Sequence, residues 1–126
     1  MAKAKILIVD DEYLIRWSLS ESLKEDGWRT FMAGTGEEGI ELFRKESPDL
    51  VLLDIKLPGV DGVEVLRQIK ELDPSVPVIM VTATSQVDVA VRAMKLGAYD
   101  YVSKPFEFTD VRMKIRHALE HSALRQ

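Results

Sequence analysis

The sequence predicts an α/β domain: five β-α units forming one doubly wound parallel sheet. Three observations carry this. Short, continuously apolar runs recur along the chain, the mark of strands buried on both faces. Segments with apolar residues at helical spacing alternate with them. Most junctions are punctuated by Gly, Pro or Asp. The 126 residues are enough for one core and one domain.

The first strand is about Lys5 to Val9. Helix one follows from about Glu12 to Asp26, with Ile15, Leu19 and Leu23 repeating at i+4, and stops at Gly27, a usual αL position after a helix. Strand two is about Trp28 to Ala33. Helix two, about Gly36 to Glu46, turns Ile40 and Phe43 inward and ends before Ser47-Pro48. A residue before proline disfavours the helical region, so Ser47 is expected to be extended. Leu50-Val51-Leu52-Leu53 forms strand three and ends in Asp54. Helix three, about Gly62 to Leu72, carries Val65, Leu66 and Ile69 and stops before Asp73-Pro74. Strand four, Val78-Ile79-Met80-Val81, ends in Thr82. Helix four is about Val87 to Leu96, strand five Tyr99 to Val102, and helix five begins near Thr109 with Val111, Ile115 and Leu119 in register. Right-handed crossovers leave the flavodoxin-like strand order 2-1-3-4-5 as the common solution.

Composition narrows the function classes. The chain is 46% hydrophobic and 30% charged, an ordinary globular balance. It has no cysteine, which excludes disulfides, thiolate zinc sites and cysteine nucleophiles. No apolar run approaches the roughly 20 residues of a membrane span, and no signal-peptide core precedes strand one, so the cytoplasm is the expected compartment. A net charge of −4 argues against direct nucleic-acid binding.

The strand ends carry the chemistry. Strand one ends in Asp10-Asp11, strand three in Asp54, strand four in Thr82, and Lys104-Pro105 follows strand five. In a parallel sheet these C-terminal ends share one edge, and the order 2-1-3-4-5 puts its switch point between strands one and three. Clustered carboxylates repel, so such a group implies protons or a cation. Oxygen ligands alone favour a hard divalent ion, Mg²⁺ or Mn²⁺. A metal, an ammonium and a hydroxyl around a carboxylate suit a phosphoryl group, and that carboxylate can be the nucleophile, giving an aspartyl phosphate. Taken singly, Asp10 or Asp11 could be a helix N-cap, Asp54 a loop cap and Lys104 a solvated lysine; the joint pattern is the argument.

Asp10-Asp11, Asp54 with Pro58-Gly59 and Asp61-Gly62 after it, Thr82-Ala83 and Lys104-Pro105-Phe106 together resemble the signature of bacterial response-regulator receiver domains. The resemblance runs from Lys5 to about Leu119 and implies a receiver domain spanning 1–126, with the last few residues starting a linker. It implies that Asp54 accepts a phosphoryl group from a sensor histidine kinase. Asp10, Asp11, Asp54 and the backbone carbonyl of Lys56 would hold Mg²⁺. Lys104 would pair with the phosphate, Thr82 would move to bond it, and Tyr101 would swing inward. Lys56 and Thr84 would occupy the positions that tune phosphate lifetime. Such a domain is no enzyme in the usual sense, catalysing only its own phosphorylation and dephosphorylation.

Ile15-Arg16-Trp17, and Val89 to Met94 leading to Gly97-Ala98-Tyr99-Asp100-Tyr101, are similar to receivers of the nitrogen-regulation class. These are joined to an AAA+ ATPase and a helix-turn-helix domain and regulate transcription. Helix five continues to Gln126 without a stop signal, which favours an excised receiver over a stand-alone one or a phosphorelay intermediate. Kinase docking is implied at Leu14, Ile15, Ser18 and Ser22, helped by Pro105 and Phe106, although Ile15 also fits the core. The face of helix four, strand five and helix five resembles the family's switching and dimerising surface.

Other chemistries fit less well. Gly34-Thr35-Gly36-Glu37-Glu38-Gly39 matches the dinucleotide fingerprint, but a strand and helix precede it and the acidic edge stays unexplained. His117 and His121 are spaced for one helix face, yet a solvated helix end explains them better than a metal does. A haloacid-dehalogenase-type phosphatase needs a second acid where Lys56 stands. In a flavin carrier, Asp10-Asp11-Glu12 would repel the cofactor's phosphate. A docking module without chemistry would not need Asp54, Thr82 and Lys104 together.

Overall fold

The structure is a computed structural model that describes residues 3–83 and 87–124; Thr84 lies outside them. Five strands alternate with five helices: β1 (Lys5–Val9), α1 (Tyr13–Lys24), β2 (Arg29–Ala33), α2 (Gly36–Glu46), β3 (Leu50–Asp54), α3 (Gly62–Leu72), β4 (Val78–Ala83), α4 (Val87–Lys95), β5 (Asp100–Lys104) and α5 (Phe108–Leu124). The sheet order is β2-β1-β3-β4-β5, every pairing is parallel, and the predicted flavodoxin-like architecture is the one observed.

Successive strand residues point to opposite faces, so the sheet feeds two cores. Leu7, Val9, Val51, Leu53, Val78 and Met80 pack with Ile40, Phe43, Val65, Leu66 and Ile69 of α2 and α3. Ile6, Ile8, Leu50, Leu52, Ile79 and Val81 pack with Leu19 and Leu23 of α1 and Val111, Ile115 and Ala118 of α5. Every residue of β3 is buried, as a central strand with helices on both sides requires.

Two boundaries differ from expectation. Ser47 is not extended but left-handed, with φ 48° and ψ 61°. That conformation lets its N–H close onto the Phe43 carbonyl at 3.0 Å, and it satisfies the proline restriction by leaving the right-handed region. Strand β5 runs to Lys104, because Thr82 pairs with Ser103 and Ala83 with Lys104. Lys104 is therefore the last residue of the strand rather than a loop residue, and the peptide to Pro105 is cis.

The glycine motif Gly34 to Gly39 has a packing role. The Thr35 side chain caps α2 by accepting from the Glu38 N–H at 3.1 Å, and the Glu38 carboxylate accepts from the Gly34 N–H at 2.9 Å. A Cβ on Gly36 would come within 2.7 Å of the Val60 carbonyl, and one on Gly39 within 2.9 Å of Val9. These glycines let α2 lie close to β1 and to the segment before α3.

Candidate functional site at the sheet edge

Each predicted strand end delivers its side chain to the same edge. Val9 is paired with Leu53, so Asp10 and Asp54 emerge next to each other from β1 and β3. Asp54 is paired with Val81 on β4, and Lys104 arrives from β5. Asp10, Asp54 and Thr82 are all buried, an unusual location for two carboxylates that are not in a neutral pair.

Lys104 is the hub. Its Nζ lies 3.2 Å from Asp10 Oδ2, 3.2 Å from Glu12 Oε1 and 3.3 Å from Asp54 Oδ2. Main-chain donors hold the remaining carboxylate oxygens: Glu12 N–H donates to Asp10 Oδ1 at 2.9 Å and Lys56 N–H to Asp54 Oδ1 at 3.2 Å. Asp10 Oδ2 is buried and receives no hydrogen bond among the described residues, with the Lys104 ammonium 3.2 Å away and other carboxylates close by. Neither Asp10 nor Asp11 is a helix cap here: the residue at the α1 N-cap is Glu12, and no side chain caps that end.

Burial dominates the electrostatics. Desolvation, reinforced by repulsion from Asp10, pushes the Asp54 pKa up to about 6, against the opposing pull of Lys104. The Asp10 pKa is also raised, again by burial. Burial opposes the charge on Lys104, but the fields of Asp54 and Asp10 outweigh it and hold its pKa above the ordinary lysine value. The ammonium is therefore a permanent cation, and Asp54 is a carboxylate made more basic than usual.

A cavity of 430 Å³ opens above these groups, lined by Asp11, Glu12, Asp54, Lys56, Pro58, Ala83 and Lys104 among others. Carboxylate oxygens of Asp10, Asp11 and Glu12 lie within 4.8 Å of one another. At that spacing each pair of charges repels by about 1 to 3.5 kcal/mol for effective dielectrics between water and a protein surface. One lysine does not balance four carboxylates. An all-oxygen donor set with a buried, unbonded Asp10 Oδ2 fits a hard divalent ion such as Mg²⁺. Glu12 is the member that the sequence pattern did not single out. Its position directly after Asp10-Asp11 was the available signal, hidden by its role at the start of a helix.

The remaining predicted residues are not all in contact with the acids. The Thr82 hydroxyl donates to the Ala83 carbonyl at 3.0 Å. Tyr101 is 38% exposed; its carbonyl accepts from Lys114 Nζ at 2.7 Å, and that ammonium sits 5.8 Å from its ring centroid. On α1, Leu14 is 72% exposed, Ser18 is half-buried, and Ile15 packs partly against the core. Ser22 corrects the expected surface stripe: it is buried, and its hydroxyl accepts from Arg112 of α5 at 2.6 Å, because α5 covers that end of the helix. Phe106 is partly buried, edge-on to Phe108 with ring centroids 5.9 Å apart, while Pro105 is exposed. His117 and His121 belong to no carboxylate or histidine cluster among the described residues, and His121 lies against the Tyr99 ring.

A doubly wound sheet with a buried aspartate, acidic neighbours and a lysine meeting at its switch point matches what the sequence resemblance leads one to expect of a receiver domain. The chain belongs to the response regulator receiver domain family, whose model matches residues 6–116. It is 41% identical to sporulation initiation phosphotransferase F of Bacillus subtilis, over 94% of this chain and 96% of that protein. It is 38% identical to the DNA-binding transcriptional regulator NtrC of Escherichia coli, over 96% of this chain but only 26% of that protein. The chain thus spans about a quarter of the length of such regulators. A CheY-like receiver domain protein from Methanospirillum hungatei superposes with a TM-score of 0.95 at 33% identity, covering 99% of this chain and 100% of that one. Members of the family serve two-component signalling as phosphorylation switches, and transcription regulators are among this chain's relatives. Among the described residues no helix is long and apolar enough to cross a membrane.

Proposed function

We propose that this domain takes a phosphoryl group from the phosphohistidine of a sensor kinase onto Asp54 and relays the change to a transcription-regulating output. The observation that carries this is the buried Asp54 carboxylate, 3.3 Å from the Lys104 ammonium, at the rim of a cavity lined by acids. An Asp54 oxygen attacks phosphorus as the phosphorus–nitrogen bond to the donor imidazole breaks. The bonding pair stays with the imidazole nitrogen, and Asp54 becomes an acyl phosphate.

Asp10, Asp11, Asp54 and the Lys56 carbonyl would hold Mg²⁺, with Glu12 beside them. When bound, the ion offsets negative charge on the acids and on the phosphoryl oxygens. Lys104 moves from Glu12 and Asp10 toward the phosphoryl oxygens. Thr82 exchanges its bond to Ala83 for one to the phosphate, and Tyr101 turns inward, shifting a pre-existing equilibrium at α4 and β5. Leu14, Ile15 and Ser18 with Pro105 and Phe106 form the kinase-docking surface, from which Ser22 is excluded by burial. Val91, Met94, Tyr101 and Met113, all exposed, lie on the α4-β5-α5 face proposed for homodimerisation. The chain would act in the cytoplasm as the receiver of a longer regulator.

One observation favours a second role, that of a stand-alone phosphorelay intermediate: the similarity to the Bacillus subtilis phosphotransferase extends over nearly all of that protein. Intact-mass spectrometry with acetyl phosphate and Mg²⁺ tests the shared chemistry. One added phosphoryl group is expected in the wild type and none in Asp54→Asn; persistent labelling of Asp54→Asn at another residue overturns the assignment.

A further inference from the structure

Arg16 has no part in the chemistry above, yet its side chain reaches from α1 to the main chain at the end of β1. Its Nη1 donates to the main-chain carbonyl of Asp10 at 2.7 Å. The same nitrogen lies in the corner at Gly34, where an added Cβ would meet it at 3.1 Å. Its guanidinium carbon sits 5.7 Å from the Tyr13 ring centroid. Asp10 is also held by its N–H, which donates to the Ala33 carbonyl at 3.1 Å, by its Oδ1, which accepts from the Glu12 N–H at 2.9 Å, and by Lys104 beside Oδ2.

The carbonyl that Arg16 holds belongs to the peptide joining Asp10 to Asp11. A peptide unit is planar and rigid, so holding its oxygen restrains the rotation of the unit to which both acids are attached. We infer that Arg16 is a positioning residue of the phosphoryl site, clamping the Asp10–Asp11 peptide and so restraining the Asp10 and Asp11 carboxylates at the sheet edge. The catalytic half of this inference rests on the phosphoacceptor role of Asp54. The clamp itself is a property of the metal-free protein.

The test uses Arg16→Gln, Arg16→Lys and Gly34→Ala, the last placing a methyl group against Nη1. In metal-free protein, amide hydrogen exchange at Glu12 is expected to speed up by about tenfold in Arg16→Gln, since ordering of the turn is lost locally, with the amides of Leu52 and Met80 unchanged. At saturating Mg²⁺, phosphorylation by acetyl phosphate is expected to slow by about ten- to a hundredfold, the upper figure being the scale of a group misplaced by about 1 Å. Arg16→Lys restores most of both because an ammonium can also bond the carbonyl, and Gly34→Ala gives the same pattern in smaller measure. Wild-type exchange at Glu12 in both Arg16→Gln and Gly34→Ala overturns the inference, whether or not the rate falls. A wild-type protein that takes no label at Asp54 instead sinks the receiver assignment, while the exchange data still decide whether Arg16 holds the peptide.

Discussion

Asp54→Asn should make the metal-free protein more stable, and the gain should grow with pH. Folding raises the Asp54 pKa from 3.8 to about 6, so between those values the native state binds more protons than the unfolded chain. Stability then falls as pH rises, the reverse of a salt-bridged carboxylate, and the cost of ionising Asp54 is complete above its folded-state pKa. Two pKa units correspond to about 3 kcal/mol at about pH 8, and to roughly half a kcal/mol at about pH 4. Asparagine mimics the protonated carboxyl in shape and removes this cost. Urea denaturation in a chelator, followed by circular dichroism at several pH values, measures the difference directly. An asparagine variant whose advantage over wild type is the same at pH 4 and pH 8, or is absent at both, would refute the claim that burial and repulsion hold Asp54 under electrostatic stress. Adding Mg²⁺ should narrow the gap, because the cation stabilises the ionised wild type.

Two further substitutions probe the same edge. A Cβ at residue 62 would run into the Asp54 carbonyl and lie 2.7 Å from Ile55 Cα, against main chain rather than a flexible side chain that could move. Gly62→Ala should therefore cost about 1 to 3 kcal/mol or more, read from the urea midpoint; unchanged stability would show that the loop relaxes freely. Mg²⁺ at a hundredfold excess over its dissociation constant stabilises a single-site protein by about 2.7 kcal/mol, and Asp11→Ala should lose most of that increment while raising metal-free stability, since it relieves repulsion with Asp10 and Glu12 and removes no cap. A thermal shift with Mg²⁺ equal to that of wild type would remove Asp11 from the ligand set.

Much of this molecule is legible along the chain. Runs such as Leu50 to Leu53 are apolar at every position, and a strand with that composition is buried on both faces wherever it sits. Their lengths, and the helical spacing of Leu19 and Leu23 or Leu66 and Ile69, leave little choice of element type. Asp10, Asp54 and Thr82 stand out because a polar residue ending such a run must lie at a sheet rim. Boundaries were less legible. Lys104 belongs to β5 only because Ala83 of β4 pairs with it, and nothing in the Ser103-Lys104-Pro105 segment announces that partner. Ser22 has the spacing of a surface residue; its burial comes from Arg112 of α5, ninety residues away.

Sequence alone determined the element order, the strand-end acids and the kind of ion they suit, because periodicity and residue chemistry are local properties. Tertiary structure decided which of those charges meet. Glu12 and Lys104 are separated by 92 positions and Asp54 and Lys104 by 50, and only the sheet register brings them within 3.3 Å. The raised Asp54 pKa and the charge held on Lys104 follow from that convergence, since desolvation and Coulomb energy depend on distance through space rather than along the chain.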